Sequence, residues 1–200
     1  MVIAKNNNTD LNKKILSRCC VALGSNMPSK FGSSLETLNC AISDLQTLHF
    51  KLIECSNFYE TEPFPKDSGS KFVNCCAIFE SHLSALDVLK HLHIVETFYG
   101  RIREKRWGAR IIDLDLIYFD ELIYPDKNTL QKWIELSPEK QIKYCPSEMI
   151  LPHPRLQDRA FVLMPLSDIN KDWIHPILGI SVNDMLALLD PDLLNEIKKL

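Results

Sequence analysis

From Ile111 to Phe119 the chain is apolar and β-prone, interrupted only by Asp113 and Asp115. Side chains on a strand alternate faces and rise ~3.3 Å per residue, so the two carboxylates share a face about 7 Å apart. Ile112, Leu114, Leu116 and Tyr118 fall on the opposite face and are predicted to be core. Ionised carboxylates on such a strand are costly to bury without partners, so a cation must lie nearby. The preceding run, Arg101 to Arg110, carries four arginines, a lysine and Trp107, with glycines at 100 and 108. Guanidinium groups grip phosphate in a bidentate way. Hard divalent ions take oxygen ligands, often one or two carboxylates plus substrate phosphates. Loop and strand together therefore read as a triphosphate–magnesium site, with one ion or a pair ~3.5–4 Å apart. A second reading stays open on the residues alone: Asp113 and Asp115 paired with Arg101, Arg103 or Arg110 as a structural ion cluster.

A length of 200 residues and 46% hydrophobic composition suit one domain with a proper core. The formal net charge of −3 argues against broad nucleic-acid binding while permitting a local basic loop. The seven cysteines are odd in number, contain no C-x-x-C pair and lie mostly in apolar segments. They point to buried thiols in a reducing cytoplasm rather than to zinc or a redox pair. No apolar run reaches the ~18 residues of a membrane span. Residues 1–17, rich in Asn and Lys, are expected to be a loose leader, 18–190 the functional domain, and 191–200 a helical end or linker.

Along the chain, Arg18–Leu23 reads as a short buried strand ending in the turn Gly24-Ser-Asn-Met-Pro28. Ser33-x-x-Glu36 is a capping-box pattern opening a helix to about Thr47, with Leu35, Leu38, Ile42, Leu45 and Leu48 as its buried stripe. Leu52–Tyr59 is predicted to be a strand, followed by a proline-stiffened loop from Glu60. Phe72–Phe79 is a strand apolar on both faces, with Asn74 its one polar side chain, which must find partners if buried. Ser84-x-x-Asp87 opens a second helix whose predicted stripe is Leu86, Leu89, Leu92, Val95 and Tyr99. Glu96, on that helix, reads from pattern alone as a solvated charge. Residues 120–150 are polar and weakly patterned and are assigned no role. The order strand, helix, strand, strand, helix, strand predicts an α+β fold, a ferredoxin-like β-α-β-β-α-β antiparallel sheet backed by helices.

The run Arg106-Trp-Gly-Ala-Arg-Ile-Ile-Asp-Leu-Asp-Leu-Ile117 closely resembles the signature of the 6-hydroxymethyl-7,8-dihydropterin pyrophosphokinase family, and further matches follow in family order across most of residues 19–190. The resemblance implies a three-layer α/β/α elaboration of the fold, with the site on the sheet face away from the two main helices. It implies pyrophosphate transfer from ATP to the hydroxymethyl pterin in folate biosynthesis, with two Mg²⁺ on Asp113 and Asp115. Arg101 and Arg110 would act in catalysis with those acids. Glu96, Arg103, Trp107, Arg110, Leu116, His153 and Arg159 would meet ATP. Thr61, Glu62, Phe64, Phe72, Asn74 and Phe161 would meet the pterin. Some relatives continue into dihydropteroate synthase, so an association with that enzyme is implied as well. Phe72, His93 and Pro154 depart from residues often found in the family. Other classes remain on the residues themselves: an RNA-binding sheet, a two-metal nucleotidyltransferase releasing pyrophosphate, and a ligand sensor without turnover.

Overall fold

The computed structural model describes residues 16–63, 69–101 and 110–200. Most of the leader, with Phe64, Arg103 and Trp107, therefore lies outside the described residues. Strands β1 (Ser17–Ser25), β2 (Phe50–Cys55), β3 (Tyr59–Thr61), β4 (Phe72–Ser81) and β5 (Asp113–Phe119) form one sheet. A short C-terminal strand, β6 (Lys198–Lys199), joins them. The order runs β5-β1-β4-β3-β6, with β2 also on β4, and every pairing is antiparallel. Helices α1 (Ser34–Thr47) and α2 (Ala85–Phe98) cover one face. The other face is covered in part by α5 (Ala160–Asn170) and α6 (Val182–Ala187), giving the expected three layers. Helices α3 (Lys127–Ile134) and α4 (Pro138–Lys143) fill the stretch that carried no pattern, and α7 (Pro191–Asn195) precedes β6. Among the described residues no helix is long and apolar enough to cross a membrane.

The local signals explain most of these elements. The capping box forms at Ser33 and Glu36, and Leu38, Ile42 and Leu45 of α1 are buried with Thr37 and Ala41. Ser84 caps α2 through the Asp87 amide. Three expectations need correction. The buried stripe of α2 is Ala85, Val88, Leu92, Val95 and Glu96, and Leu86 is 44% exposed. The helix is rotated so that small Ala85, one residue earlier, faces the sheet and Leu86 turns about 100° away. The predicted strand Leu52–Tyr59 is two strands, because the chain leaves the ladder at 56–58 and rejoins β4 at Tyr59.

The third correction is in β5. Cys20 pairs with Tyr118 but Val21 pairs with Leu116, so Ile117 is an extra residue. Such a bulge resets the alternation. Ile112, Leu114 and Leu116 join the core beneath α1 and α2, while Ile117 and Tyr118 both turn to the core beneath α5. Tyr118 therefore lies opposite its expected side, stacked on Trp173 at 4.6 Å between centroids.

His175, fully buried beside Trp173, accepts two backbone N–H bonds at Nδ1, and its Nε2 has no partner among the described residues. Burial holds its pKa down at about 4. Unfolded, it binds a proton as pH falls through about 6.5; folded, it does so only near 4, so the unfolded state takes up more protons between those values. Stability to denaturant is expected to fall as pH drops from 6.5 to 4, and His175→Phe to flatten that fall. Urea midpoints at pH 7 and pH 5 read it directly.

Candidate active site

The working face is the one that α5 and α6 leave partly open. The register aligns Tyr59, Asn74, Gly24 and Asp113 in one row across β3, β4, β1 and β5, and Cys76, Ala22 and Asp115 in the next. Directly opposed residues of an antiparallel sheet share a face, so these side chains all stand on the working side. Gly24 and Ala22 leave a shallow floor between the acids of β5 and the polar side chains of β4. Two strand spacings, about 10 Å, separate Asn74 from Asp113 across it.

At the acidic end, Asp113 pairs with Arg101 at 2.6 Å and with Arg110. Asp115, its side chain 37% exposed, lies 3.4 Å from Arg159. The guanidinium of Arg159 also sits 5.5 Å from the centroid of the Phe161 ring. Glu96 is 2% exposed, not solvated. It pairs with Arg101 and accepts the Leu114 amide at 2.8 Å, holding the start of β5 to α2. Leu116 points into the core beneath α1 and α2, so only its backbone is available to a ligand on the working face.

The bulge at Ile117 has a use. Its carbonyl accepts the His153 amide at 2.7 Å, docking the segment 151–155 against β5. His153 Nδ1 accepts the Arg155 amide at 3.2 Å, which leaves the proton of a neutral imidazole on Nε2. Desolvation first, then Arg159 and Arg155, holds its pKa well below the usual histidine value. His153 is thus a neutral hydrogen-bond donor. Arg155 also donates to the Gln141 and Tyr144 carbonyls, tying the α3–α4 excursion to this segment.

At the other end, Asn74 is 6% exposed and donates to Thr61 Oγ1 at 2.8 Å. That bond fixes the amide orientation and leaves Oδ1 over Gly24. A Cβ on Gly24 would meet this oxygen at 2.8 Å and Phe72 Cδ1 at 3.8 Å. Glu62 lies on the exposed rim, 3.0 Å from Lys71, so its side chain turns outward. Phe161 heads α5 and packs against the second core. Gly24→Ala must displace the Asn74 amide from its bond to Thr61. On the pterin contact that the family resemblance implies for Asn74, the expected result is an unchanged helix content and a pterin KM raised about tenfold, roughly one hydrogen bond. An unchanged pterin KM would set that implied contact aside.

Asn26 carries a role its turn motif did not disclose. Its backbone and Oδ1 bond both backbone groups of Arg110 at 3.0 and 2.6 Å, and its Nδ2 donates to the Ser70 carbonyl at 3.1 Å. One side chain thus joins the ends of the loops flanking the site. The G-S-N turn was the available signal, but a turn asparagine bonds locally far more often than across the chain.

The fold and this face define the class: a ferredoxin-like sheet carrying paired carboxylates with guanidinium groups around them and the polar side chains of Asn74 and Thr61 opposite, which suits transfer of a phosphate group. Comparison with known proteins agrees. The family model described as 7,8-dihydro-6-hydroxymethylpterin-pyrophosphokinase (HPPK) matches residues 20–171, and the chain belongs to this family. The pyrophosphokinase of Synechocystis sp. is 31% identical over 171 residues, 85% of this chain and 75% of that protein. That of Haemophilus influenzae is 32% identical over 157 residues, 78% of this chain and 83% of its own. The folic acid synthesis protein FOL1 of Dictyostelium discoideum is 32% identical over 183 residues, 90% of this chain and 24% of that protein. Among solved structures, wild-type Plasmodium falciparum HPPK-DHPS superposes with a TM-score of 0.62 at 15% identity, over 86% of this chain and 44% of that one. That likeness supports the three-layer fold. Family membership makes the chain an ATP-using pyrophosphokinase, and the readings as an RNA-binding sheet, a nucleotidyltransferase or a sensor give way to it.

Proposed function

We propose that the floor between Asp113 and Asn74 is where the chain transfers pyrophosphate from ATP to the primary hydroxyl of 6-hydroxymethyl-7,8-dihydropterin, leaving AMP. The observation that carries this reading is the row Asn74–Gly24–Asp113, with the acids at one end and the amide reader at the other. Thr61, Asn74, Phe72, Phe161 and the backbone at Glu62 would hold the pterin, with the Asn74 oxygen facing a ring N–H. Arg101, Arg110 and Arg159 would neutralise phosphate oxygens, and the Nε2 proton of His153 would donate a hydrogen bond to one. Glu96 would act through Arg101 rather than on the nucleotide itself. Phe64, Arg103 and Trp107 belong to the proposal by family resemblance.

Among the described residues no cluster of three or more His, Cys, Asp or Glu side chains gathers as a metal cage. Two partly exposed carboxylates suit Mg²⁺, which keeps waters and borrows substrate phosphates. Mg²⁺ on Asp113 and Asp115, two ions in our proposal, would neutralise phosphate charge and lower the pKa of the attacking hydroxyl. In the structure Arg101 and Arg110 satisfy Asp113, and Arg159 faces Asp115. Exchange is electrostatically reasonable, since an incoming triphosphate draws the guanidinium groups as the cation draws the carboxylates. The protein's own contribution is then alignment and charge placement, the main terms in phosphoryl transfer.

The unit spanning 18–190 carries this activity in our reading. The seven unbridged thiols support a cytoplasmic setting. The fused solved structures support an association, covalent or physical, with dihydropteroate synthase. Chromatography of adenine products after incubation with ATP, Mg²⁺ and the hydroxymethyl pterin tests the reaction. AMP is expected only when all three are present. ADP, or free pyrophosphate without pterin consumption, would sink the proposal.

A further inference from the structure

We propose that Asp168 is the positioning residue that sets the width of the pterin pocket, by bonding the last turn of α5 to the strand that carries Thr61. The inference rests on the pterin reading above. Asp168 accepts the Asn57 amide at 3.1 Å, Asn57 Nδ2 at 2.8 Å and the Tyr59 hydroxyl at 3.0 and 2.9 Å. It lies seven residues after Phe161, two turns along the same helix, so Phe161 and Asp168 occupy one side of a single bar. Tyr59 is two residues before Thr61 on β3 and directly opposite Asn74 on β4. The carboxylate therefore connects the element bearing one wall of the pocket, Phe161, to the strand bearing the other, Thr61 with Asn74.

The other attachments of α5 do not fix this spacing: Asn170 donates to the Tyr118 hydroxyl at 2.7 Å, which ties the helix end to β5 and not to β3. Val162, Leu163 and Leu166 bury into the second core, and apolar burial is non-directional. The Cys76 thiol reaches the Val162 carbonyl at 3.6 Å, a weak bond near the helix start. Three donors converging on one carboxylate are directional and charge-assisted. Tyr59 is well placed to serve as a donor: burial and then Asp168 push its pKa up to about 12, so the hydroxyl keeps its proton across the working pH range. β6 adds a further support from the outside, pairing Lys198 and Lys199 with Glu60 and Tyr59.

A latch that only stabilised the fold would lower Tm and leave the two substrates equally affected. A spacing device predicts a split. Steady-state KM values for pterin and ATP, kcat and Tm are measured for Asp168→Asn, Tyr59→Phe and the double variant, with Phe161→Ala alongside. Asp168→Asn turns an amide against the donors, so the expected result is a pterin KM raised about tenfold with the ATP KM within about twofold. Tyr59→Phe should move the pterin KM the same way by less, and the double variant should be no worse than Asp168→Asn alone. Asp168→Glu, which keeps the carboxylate, should recover part of the loss. Equal shifts in both KM values, or a Tm loss with both KM values unchanged, overturns the inference. If Asp168→Asn does not fold, Tyr59→Phe decides by the same split. If Phe161→Ala itself leaves the pterin KM unchanged, the pocket is wrongly assigned and the inference falls with it.

Discussion

Asp115→Asn is expected to lower kcat/KM by about a thousandfold or more, close to 4 kcal/mol of transition-state stabilisation, while the fold survives. The side chain is 37% exposed and its ion pair with Arg159 spans 3.4 Å, so little stability depends on it. What it would lose is the anionic oxygen set that draws Mg²⁺ to the phosphates. Asp113→Asn should fall as far in activity but further in stability, because Asp113 is shared by Arg101 and Arg110. The discriminating measurement is nucleotide affinity with and without Mg²⁺. In the parent protein Mg²⁺ should tighten ATP binding; in either variant that dependence should largely vanish. Activity within tenfold of the parent in both variants would return Asp113 and Asp115 to the structural ion cluster that the residues alone left open.

The sequence disclosed this strand because two carboxylates in an apolar alternating run conflict with burial, and a conflict of that kind is local. Ser33 with Glu36 and the stripe Leu38, Ile42, Leu45 were legible for the same reason, since caps and helical spacing involve residues within one turn of each other. What escaped is non-local. The extra residue at Ile117 leaves no mark in the alternation, yet it sends Tyr118 to the opposite core and frees a carbonyl for His153. Leu86 and Ala85 cannot be ranked for burial without knowing the roll of α2 against the sheet. The tail reads as a helical end or linker, but its last residues pair with β3, an edge strand whose availability depends on the whole topology. Within the site, Asp113, Asp115 and Asn74 were found as polar residues out of place, and Arg101, Arg110 and Arg159 through charge or resemblance. Asn26 and Asp168 resemble ordinary turn and helix residues. Their partners are 84 and 111 positions away, respectively.

Glu96 is the sharpest case, and its removal should produce the largest loss of stability among the site residues. On a helix, just before a polar loop, it reads as a solvated charge. It is instead 2% exposed, paired with Arg101 and bonded to the Leu114 amide. Glu96→Ala leaves a mostly buried guanidinium short of one counter-charge and strips the Leu114 amide of this acceptor. Breaking one side of a buried pair costs about 3–5 kcal/mol, which for a chain of this size lowers Tm by roughly 10 °C. Glu96→Gln keeps an oxygen for the amide and loses only the charge, so its Tm should fall between parent and Ala. Activity should follow for a separate reason. Without Glu96, Arg101 keeps, among the described residues, Asp113 as its carboxylate partner, at 2.6 Å, and competes there with any divalent ion. The Mg²⁺ concentration for half-maximal rate should therefore rise in Glu96→Gln at temperatures where it remains folded. A Tm shift below about 2 °C in Glu96→Ala, with unchanged Mg²⁺ dependence in Glu96→Gln, would mean that Arg101 is held by other groups and that Glu96 does not set the charge of the acidic end.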